Sequence, residues 1–260
     1  MPEGDAIRAV ATVLGRKLIG RALVHGRILG RAPRVLDGAA VGEVRPIGKH
    51  LLLRIDGPAP ALGIRTHLGM EGSWHRYTPG PRWRRPGSRT RIILETASDV
   101  MVCRAPAQLE VGSWKAVMAG RSLAALGPDI LDRPCPAAAA AARAVAYAGQ
   151  RTVLEVLLDQ RVACGIGNIA AHEALFEIRL HPHTPAAHLD TASWVRLYKA
   201  NAALLHGRVA LGGRGATVRP RVYGRGRKSC PRCRHRIVAV PRGHHGRPSA
   251  WCPTCQPMPA

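Results

Sequence analysis

Two CxxC pairs near the end of the chain constrain its fold more than any other feature. Cys230 and Cys233 form the first pair, and Cys252 and Cys255 form the second. Each pair brings two sulfurs to a tight turn, and two such turns complete a tetrahedral site of four thiolates, which suits Zn²⁺. Because all four positions are filled by protein, no position remains for a reactive water, and we expect one structural zinc ion.

The segment that carries these cysteines, residues 222–256, is too short to fold by burial alone. A core of about 35 residues does not offset the conformational entropy lost on folding, so metal binding would supply the difference. Two disulfides or four unrelated thiols are the alternative, although disulfides are rare inside cells. The other three cysteines are scattered and are expected to be small core residues: Cys103, Cys135 and Cys164.

The charge balance predicts a polyanionic partner. The chain of 260 residues has 39 Lys and Arg against 16 Asp and Glu, a formal net charge of +23. Such a surplus favours nucleic acid first and an anionic membrane surface second, although arginine also accumulates in some proteomes. No apolar run of about 18 residues or secretory signal pattern is present, so we expect no membrane span and a cytoplasmic, nucleoid-associated location.

The hydrophobic pattern divides the chain into parts of different texture. Apolar residues recur at helical spacing over residues 6–18, and residues 21–120 contain short apolar runs typical of a sandwich or barrel. After a boundary near residues 126–129 comes an alanine tract, either a helix or a flexible connector, and then a series of helical segments. Residues 208–221 are rich in Gly and Arg and are predicted to be a linker.

Residues 165–168 read Gly-Ile-Gly-Asn between two apolar helical segments. Two glycines one residue apart allow a tight turn that exposes backbone amides, and Asn168 then stands where it can cap the second helix. A helix N-terminus with free amides binds anions, so a DNA phosphate would fit. An ordinary loop between two helices explains the same four residues equally well.

The N-terminus contains a candidate catalytic nucleophile. Methionine before a small residue is normally removed, which would leave Pro2 as a free secondary amine. An α-amino group has a pKa of about 7.7–8.0. The adduct of Pro2 with a sugar aldehyde carbon is an iminium that keeps its charge, which favours elimination at the neighbouring carbon. Glu3 is adjacent and can donate or accept a proton. A proline near a helix start is also ordinary, so these two residues alone do not establish catalysis.

Several motifs occur together in one order along the chain. They are MPEG at the start, Gly48-Lys49-His50, His67-Leu68-Gly69-Met70, the GIGN turn, Val222-Tyr223-Gly224-Arg225 and the four-cysteine finger. In this combination the chain resembles the formamidopyrimidine-DNA glycosylase/endonuclease VIII family of base-excision repair enzymes. The resemblance implies an α+β multidomain fold: an N-terminal β-sandwich with flanking helices (1–128), a helix-two-turn-helix domain (129–215) and a C-terminal zinc β-hairpin finger (222–256).

The resemblance also implies a bifunctional DNA glycosylase and AP lyase that acts as a monomer on damaged duplex or single-stranded DNA. Pro2 would be the nucleophile that forms a Schiff base, and Glu3 the acid that helps to open the sugar. Lys49 would contact the reacting nucleotide and its phosphate. The strand would then be nicked by β,δ-elimination.

Three further residues are expected to hold DNA. Asn168 and Arg247 match residues of the family that bind phosphates near the lesion. A lesion within a duplex must be flipped out, and Met70, with partners from residues 107–109, is the candidate for filling the gap. Met70 could instead fill a gap in the core.

The chain departs from the family pattern at two places. The second acid that often lies three positions after Glu3 is replaced by Ala6, so Asp5 substitutes for it in part or the role is dispensable. The short stretch 213–222 leaves little room for the long loop that covers oxidised purines in the formamidopyrimidine branch. We therefore expect the endonuclease VIII branch and oxidised pyrimidines. Formamidopyrimidine or 8-oxoguanine removal, or a non-catalytic DNA-binding protein on the same scaffold, are the alternatives.

Overall fold

The computed structural model describes residues 2–30, 33–57, 60–80, 87–212, 219–241 and 248–259. The chain forms two compact units. The first consists of Met1–Pro2 and Ile7–Ala124, and the second of Glu3–Ala6 and Ala125–Ala260. Within the described residues, no helix is both long enough and apolar enough to cross a bilayer.

The first unit is a β-sandwich covered by helix α1 (Gly4–Leu18), whose first three residues belong to the second unit. Its strands are β1 (His25–Ile28), β2 (Arg34–Val35), β3 (Ala40–Ile47), β4 (His50–Asp56), β5 (Leu62–His67), β6 (Ser73–Tyr77), β7 (Thr90–Glu95), β8 (Val100–Arg104) and β9 (Gln108–Ser113). Five strands form one sheet in the order β2-β1-β7-β8-β6, and four form the other in the order β3-β4-β5-β9. All neighbours in these sheets are antiparallel.

The core of this unit explains why its sheets lie face to face. Leu51, Leu53 and Ile55 alternate along β4 and are fully buried, as strand geometry requires for side chains that share one face. They belong to the same hydrophobic cluster as Ile92 and Leu94 of β7 and the apolar residues of α1. The predicted sandwich is confirmed. Two short helices end the unit, α2 (Trp114–Met118) and α3 (Arg121–Ala124).

The second unit is helical and ends in a hairpin. Its elements are α4 (Ala137–Tyr147), α5 (Val153–Leu158), α6 (Asn168–Glu177), α7 (Thr191–Ala210), β10 (Val238–Val240) and β11 (Ser249–Trp251). The alanine tract is a helix, and its buried face of small side chains lets α4 pack closely against α7: Ala137, Ala140, Ala141 and Ala144. Helix α7 continues to Ala210, so the first residues of the predicted linker are helical.

Candidate active site and nucleic-acid interface

The carboxylate of Glu3 lies at the N-terminus of α6. Its Oε1 accepts a hydrogen bond from the amide of Ile169 at 2.8 Å, and its Oε2 accepts one from the amide of Ala170 at 3.2 Å. Nη1 of Arg208 donates to the same Oε2 at 3.1 Å. The two charged side chains are each only 5% exposed. Because helix N-termini and guanidinium groups both stabilise negative charge, this environment favours ionised Glu3.

The glycines of the GIGN turn make room for that carboxylate. Gly165 has a φ of +97°, which a residue with a side chain rarely adopts, and its carbonyl accepts a hydrogen bond from the amide of Gly4 at 2.9 Å. Gly167 is needed for a different reason. A Cβ at this position would lie 2.2 Å from Oε1 and 2.3 Å from Cγ of Glu3. The turn therefore fits the chain's third residue rather than leaving its amides free.

Asn168 does not have the capping role that the sequence predicted. The N-cap of α6 is Gly167, which has no side-chain cap, and Glu3 occupies the amides that a cap would satisfy. The capping prediction is wrong because a distant carboxylate outcompetes the local amide. Instead, Nδ2 of Asn168 donates to the carbonyl of Pro248 at 2.9 Å. Arg247, the predicted phosphate-binding residue that precedes Pro248, lies outside the described residues.

A second set of hydrogen bonds joins α6 to the hairpin. The hydroxyl of Ser249 lies 3.2 Å from Nε2 of His172 and 3.2 Å from Nε2 of His183. The rings of His183 and Trp251 pack with their centroids 5.1 Å apart. Together with the contact of Asn168, these bonds hold the start of β11 against the first turns of α6. Sequence analysis assigned no role to these histidines, because nothing in their spacing links them to Ser249.

The hairpin cysteines form one compact group. The ligand atoms of Cys230, Cys233, Cys252 and Cys255 all lie within 4.8 Å of one another, and all four thiols are free. The Sγ atoms of Cys233 and Cys252 lie 3.4 Å apart and those of Cys230 and Cys255 lie 3.9 Å apart, well beyond the roughly 2.05 Å of a disulfide. This geometry fits a single metal ion with four sulfur ligands and disagrees with the disulfide alternative.

Lys49 lies in the first unit, in the turn between β3 and β4, where Gly48 has a φ of +54°. Its side chain is buried, and its charge acts on two histidines of the adjacent strands. The rings of His50 and His67 have centroids 5.0 Å apart. Burial, helped by His67, Arg65 and Lys49, lowers the pKa of His50 to about 3, and burial also lowers the pKa of His67.

Arg65 determines how His50 is protonated. Its buried guanidinium contacts Nδ1 of His50 at 2.9 Å and donates to Glu110 at 2.8 Å and to Gln108 at 3.0 Å. Since an arginine only donates, Nδ1 must accept, and the neutral ring carries its proton on Nε2. Lys49 therefore stands next to uncharged imidazoles. The sequence shows His50 and His67 only as parts of two motifs, and the contacts of His50 with His67 and with Arg65 were not predicted.

Met70 follows β5 in a turn and is 75% exposed, which disagrees with a role as a core gap-filler. Gly69 before it has a φ of +65°, and a Cβ there would lie 2.5 Å from the Cβ of Ala107. The turn that presents Met70 thus packs against the start of the segment predicted to supply its partners. A long, unbranched apolar side chain in this position is available to another molecule.

Asp5 does not resemble an exposed substitute for the acid missing at Ala6. It lies in the first turn of α1, is buried, and its pKa is raised by that burial, against a smaller opposing effect of the Arg208 charge. Burial therefore favours the protonated form of the Asp5 carboxyl.

Comparisons with known proteins agree with this geometry. The family described as "Formamidopyrimidine-DNA glycosylase H2TH domain" matches residues 126–219. The chain is 35% identical to a "Probable endonuclease 8 2" of Streptomyces coelicolor, over 100% of this chain and 95% of that protein. It is 34% identical to the "DNA-(apurinic or apyrimidinic site) lyase Nei2" of Mycolicibacterium smegmatis, over 98% of this chain and 99% of that protein.

Solved structures give the same result for the fold. The MutM (Fpg) protein of Thermus thermophilus matches with a TM-score of 0.81 and 28% identity over all of both chains. The formamidopyrimidine-DNA glycosylase of Lactococcus lactis, bound to DNA that contains an AP site, matches with a TM-score of 0.82 and 20% identity, over 98% of this chain and 100% of that one.

Proposed function

This chain belongs to the formamidopyrimidine-DNA glycosylase/endonuclease VIII family and is a bifunctional DNA glycosylase and AP lyase of base-excision repair, and we propose that Pro2 is its nucleophile. One observation carries the proposal. The residue directly after Pro2 is a buried carboxylate that receives three hydrogen bonds from α6 and Arg208. A buried charge is costly, so an ordered one beside the N-terminal amine favours a catalytic role.

In the proposed reaction the Pro2 nitrogen bonds to C1′ of the damaged nucleotide and the bond from C1′ to the base breaks. The bonded nitrogen then releases its proton, and the lone pair that this frees expels O4′, which takes a proton, so that the product is an iminium between Pro2 and the opened sugar. Glu3 handles the proton at O4′. The iminium accepts the electrons released when a C2′ proton leaves, and the 3′ phosphate departs, followed by the 5′ phosphate in δ-elimination.

The remaining site residues would bind DNA around this centre. Lys49, next to two neutral histidines, is suited to a phosphate because no neighbouring imidazolium competes for it. Met70 would fill the gap left by the flipped nucleotide, and Asn168 and Arg247 would contact phosphates. We assign the N-terminal sandwich (1–128), the helix-two-turn-helix domain (129–215) and the finger (222–256) as the three functional parts, acting on cytoplasmic, nucleoid DNA.

We propose that Zn²⁺ is the ion held by the four cysteines. Four sulfurs at these separations suit tetrahedral zinc with no open position, so the ion would have a structural role and would order the hairpin. The hydrophobic cluster around the cysteines supports this role, because it is small: Phe176, Val222, Ile237 and Ala250.

For the substrate we propose oxidised pyrimidines. The endonuclease 8 relatives are 35% identical to this chain, and the formamidopyrimidine-DNA glycosylase of Thermus thermophilus is 30% identical. Removal of formamidopyrimidine or 8-oxoguanine is the second candidate. It is favoured by the fold match to MutM in complex with DNA that contains carbocyclic 8-oxo-G.

Borohydride trapping on an abasic-site oligonucleotide tests the proposed nucleophile. We expect a covalent adduct that maps to Pro2, with Met1 absent from the intact mass. Pro2→Gly should retain a slower lyase, whereas Glu3→Gln should lose base removal before elimination. A competent protein with Met1 retained, or one that cleaves DNA without an adduct, would refute the nucleophile. A panel of duplex and single-stranded lesions then separates the two substrate classes.

A further inference from the structure

Arg208 differs from most arginines of this chain. Among the described residues, it and Arg65 are the two arginines whose side chains are buried. It lies two residues before the end of the 20-residue helix α7, where its Nη1 reaches Glu3 at 3.1 Å. A side chain buried in this way cannot serve as a general contact for DNA phosphates.

The hydrogen bonding of Arg208 is incomplete for a purely structural residue. Within the described part of the chain, its Nε is buried and has no hydrogen-bond partner. A guanidinium that only stabilised the fold would be expected to use more of its five donors, because buried polar groups are costly when unsatisfied. Among the described residues it forms an ion pair with Glu3, the residue that follows the proposed nucleophile.

The charges around Glu3 in this unit explain what such a contact does. The amide end of α6 and Arg208 both favour the carboxylate over the carboxylic acid. Asp5, in the first turn of α1, is a buried acid whose pKa is raised by burial, and it interacts with the Arg208 charge. Glu173 and Arg221, which share a cavity with Arg208, are paired with each other at 3.4 Å. Arg208 is therefore a cation directed at Glu3, and the amine of Pro2 is the neighbouring group in sequence.

We infer that Arg208 is a positioning residue for base removal, which holds Glu3 ionised in the free enzyme and fixes its Oε2. This inference rests on the proposed role of Glu3. In the free enzyme Glu3 then has no proton to give, so it first accepts the proton that the Pro2 nitrogen releases and later passes it to O4′. Arg208 favours release of that proton, because protonated Glu3 no longer forms an ion pair with the Arg208 guanidinium.

The test is the pH dependence of single-turnover base removal in Arg208→Met and Arg208→Lys, compared with the wild type. Loss of the cation should raise the pKa of Glu3, so the acidic limb of the profile should move up by about one to two pH units in Arg208→Met. Arg208→Lys retains a cation and should restore most of the wild-type position. Arg196→Met is the matched control, because Arg196 is an exposed arginine on the same helix.

A purely structural role would lower the rate equally at every pH and leave the limb in place, and that result would overturn the inference. If Arg208→Met does not fold, the double variant Glu3→Gln/Arg208→Met should fold, since it leaves no uncompensated buried charge. An unfolded double variant would also overturn the inference. Borohydride trapping of the wild-type protein separates the two proposals. If the wild type forms an adduct but the pH profile of Arg208→Met is unshifted, only the role of Arg208 is refuted. If the wild type forms no adduct, the role of Pro2 as nucleophile is refuted.

Discussion

Replacement of Gly167 by alanine should damage the active site without direct contact with DNA. The new Cβ would stand 2.2 Å from Oε1, 2.3 Å from Cγ and 2.4 Å from Cδ of Glu3, so the carboxylate must move. It would lose the amides of Ile169 and Ala170, and Arg208 would lose its partner. Hydrogen bonds to charged groups contribute about 1.5–3 kcal/mol each, and water can replace part of this, so we expect a loss of about 3 kcal/mol.

Thermal unfolding measures this loss, and single-turnover base removal measures its effect on catalysis. A change of about 3 kcal/mol should lower the Tm by roughly 6–12 °C in a chain of this size. Gly207→Ala is the matched control, because Gly207 lies in α7 and a Cβ there would have nothing within 4 Å. It should be neutral or stabilising by up to about 1 kcal/mol. Wild-type stability and wild-type base removal in Gly167→Ala would refute the reasoning.

Met70→Ala should leave the free energy of unfolding within about 0.5 kcal/mol of wild type because the side chain is exposed, but should slow base removal in duplex DNA roughly tenfold. An equal loss of rate on single-stranded DNA would contradict the proposal that Met70 fills the gap left by the flipped nucleotide. Because the pKa of His50 is about 3 in the fold and about 6.5 when unfolded, the unfolded state binds the extra proton below pH 6.5. Stability should fall by about 1.4 kcal/mol per pH unit there, and urea titrations at pH 7 and 5 should show a smaller fall in His50→Gln. Chelation of the metal should abolish DNA binding, measured by fluorescence anisotropy, and unfold the hairpin while the sandwich retains its circular-dichroism signal. Full-strength DNA binding by metal-free protein would contradict the structural role of the ion.

The elements that depend on local pattern could be read from the chain directly. The strands of residues 21–120 were predicted from short apolar runs, and the four cysteines were grouped from their spacing. The strands and each CxxC pair follow from residues a few positions apart, whose side chains share a face or a turn whatever the rest of the fold does. The alanine tract remained ambiguous, because its helical propensity is high but its burial depends on α7.

The sequence alone determined the reactive groups. They are the secondary amine of Pro2 after removal of Met1, the adjacent carboxylate of Glu3, and two cysteine pairs suited to a metal ion or to disulfide bonds. Only the tertiary structure decided that Glu3, rather than Asn168, satisfies the start of α6. It also turned Arg208 from a presumed linker residue into the buried partner of Glu3. Glu3 meets the start of α6 and Arg208 only through long-range packing, and no periodicity encodes contacts between residues that lie so far apart in the chain.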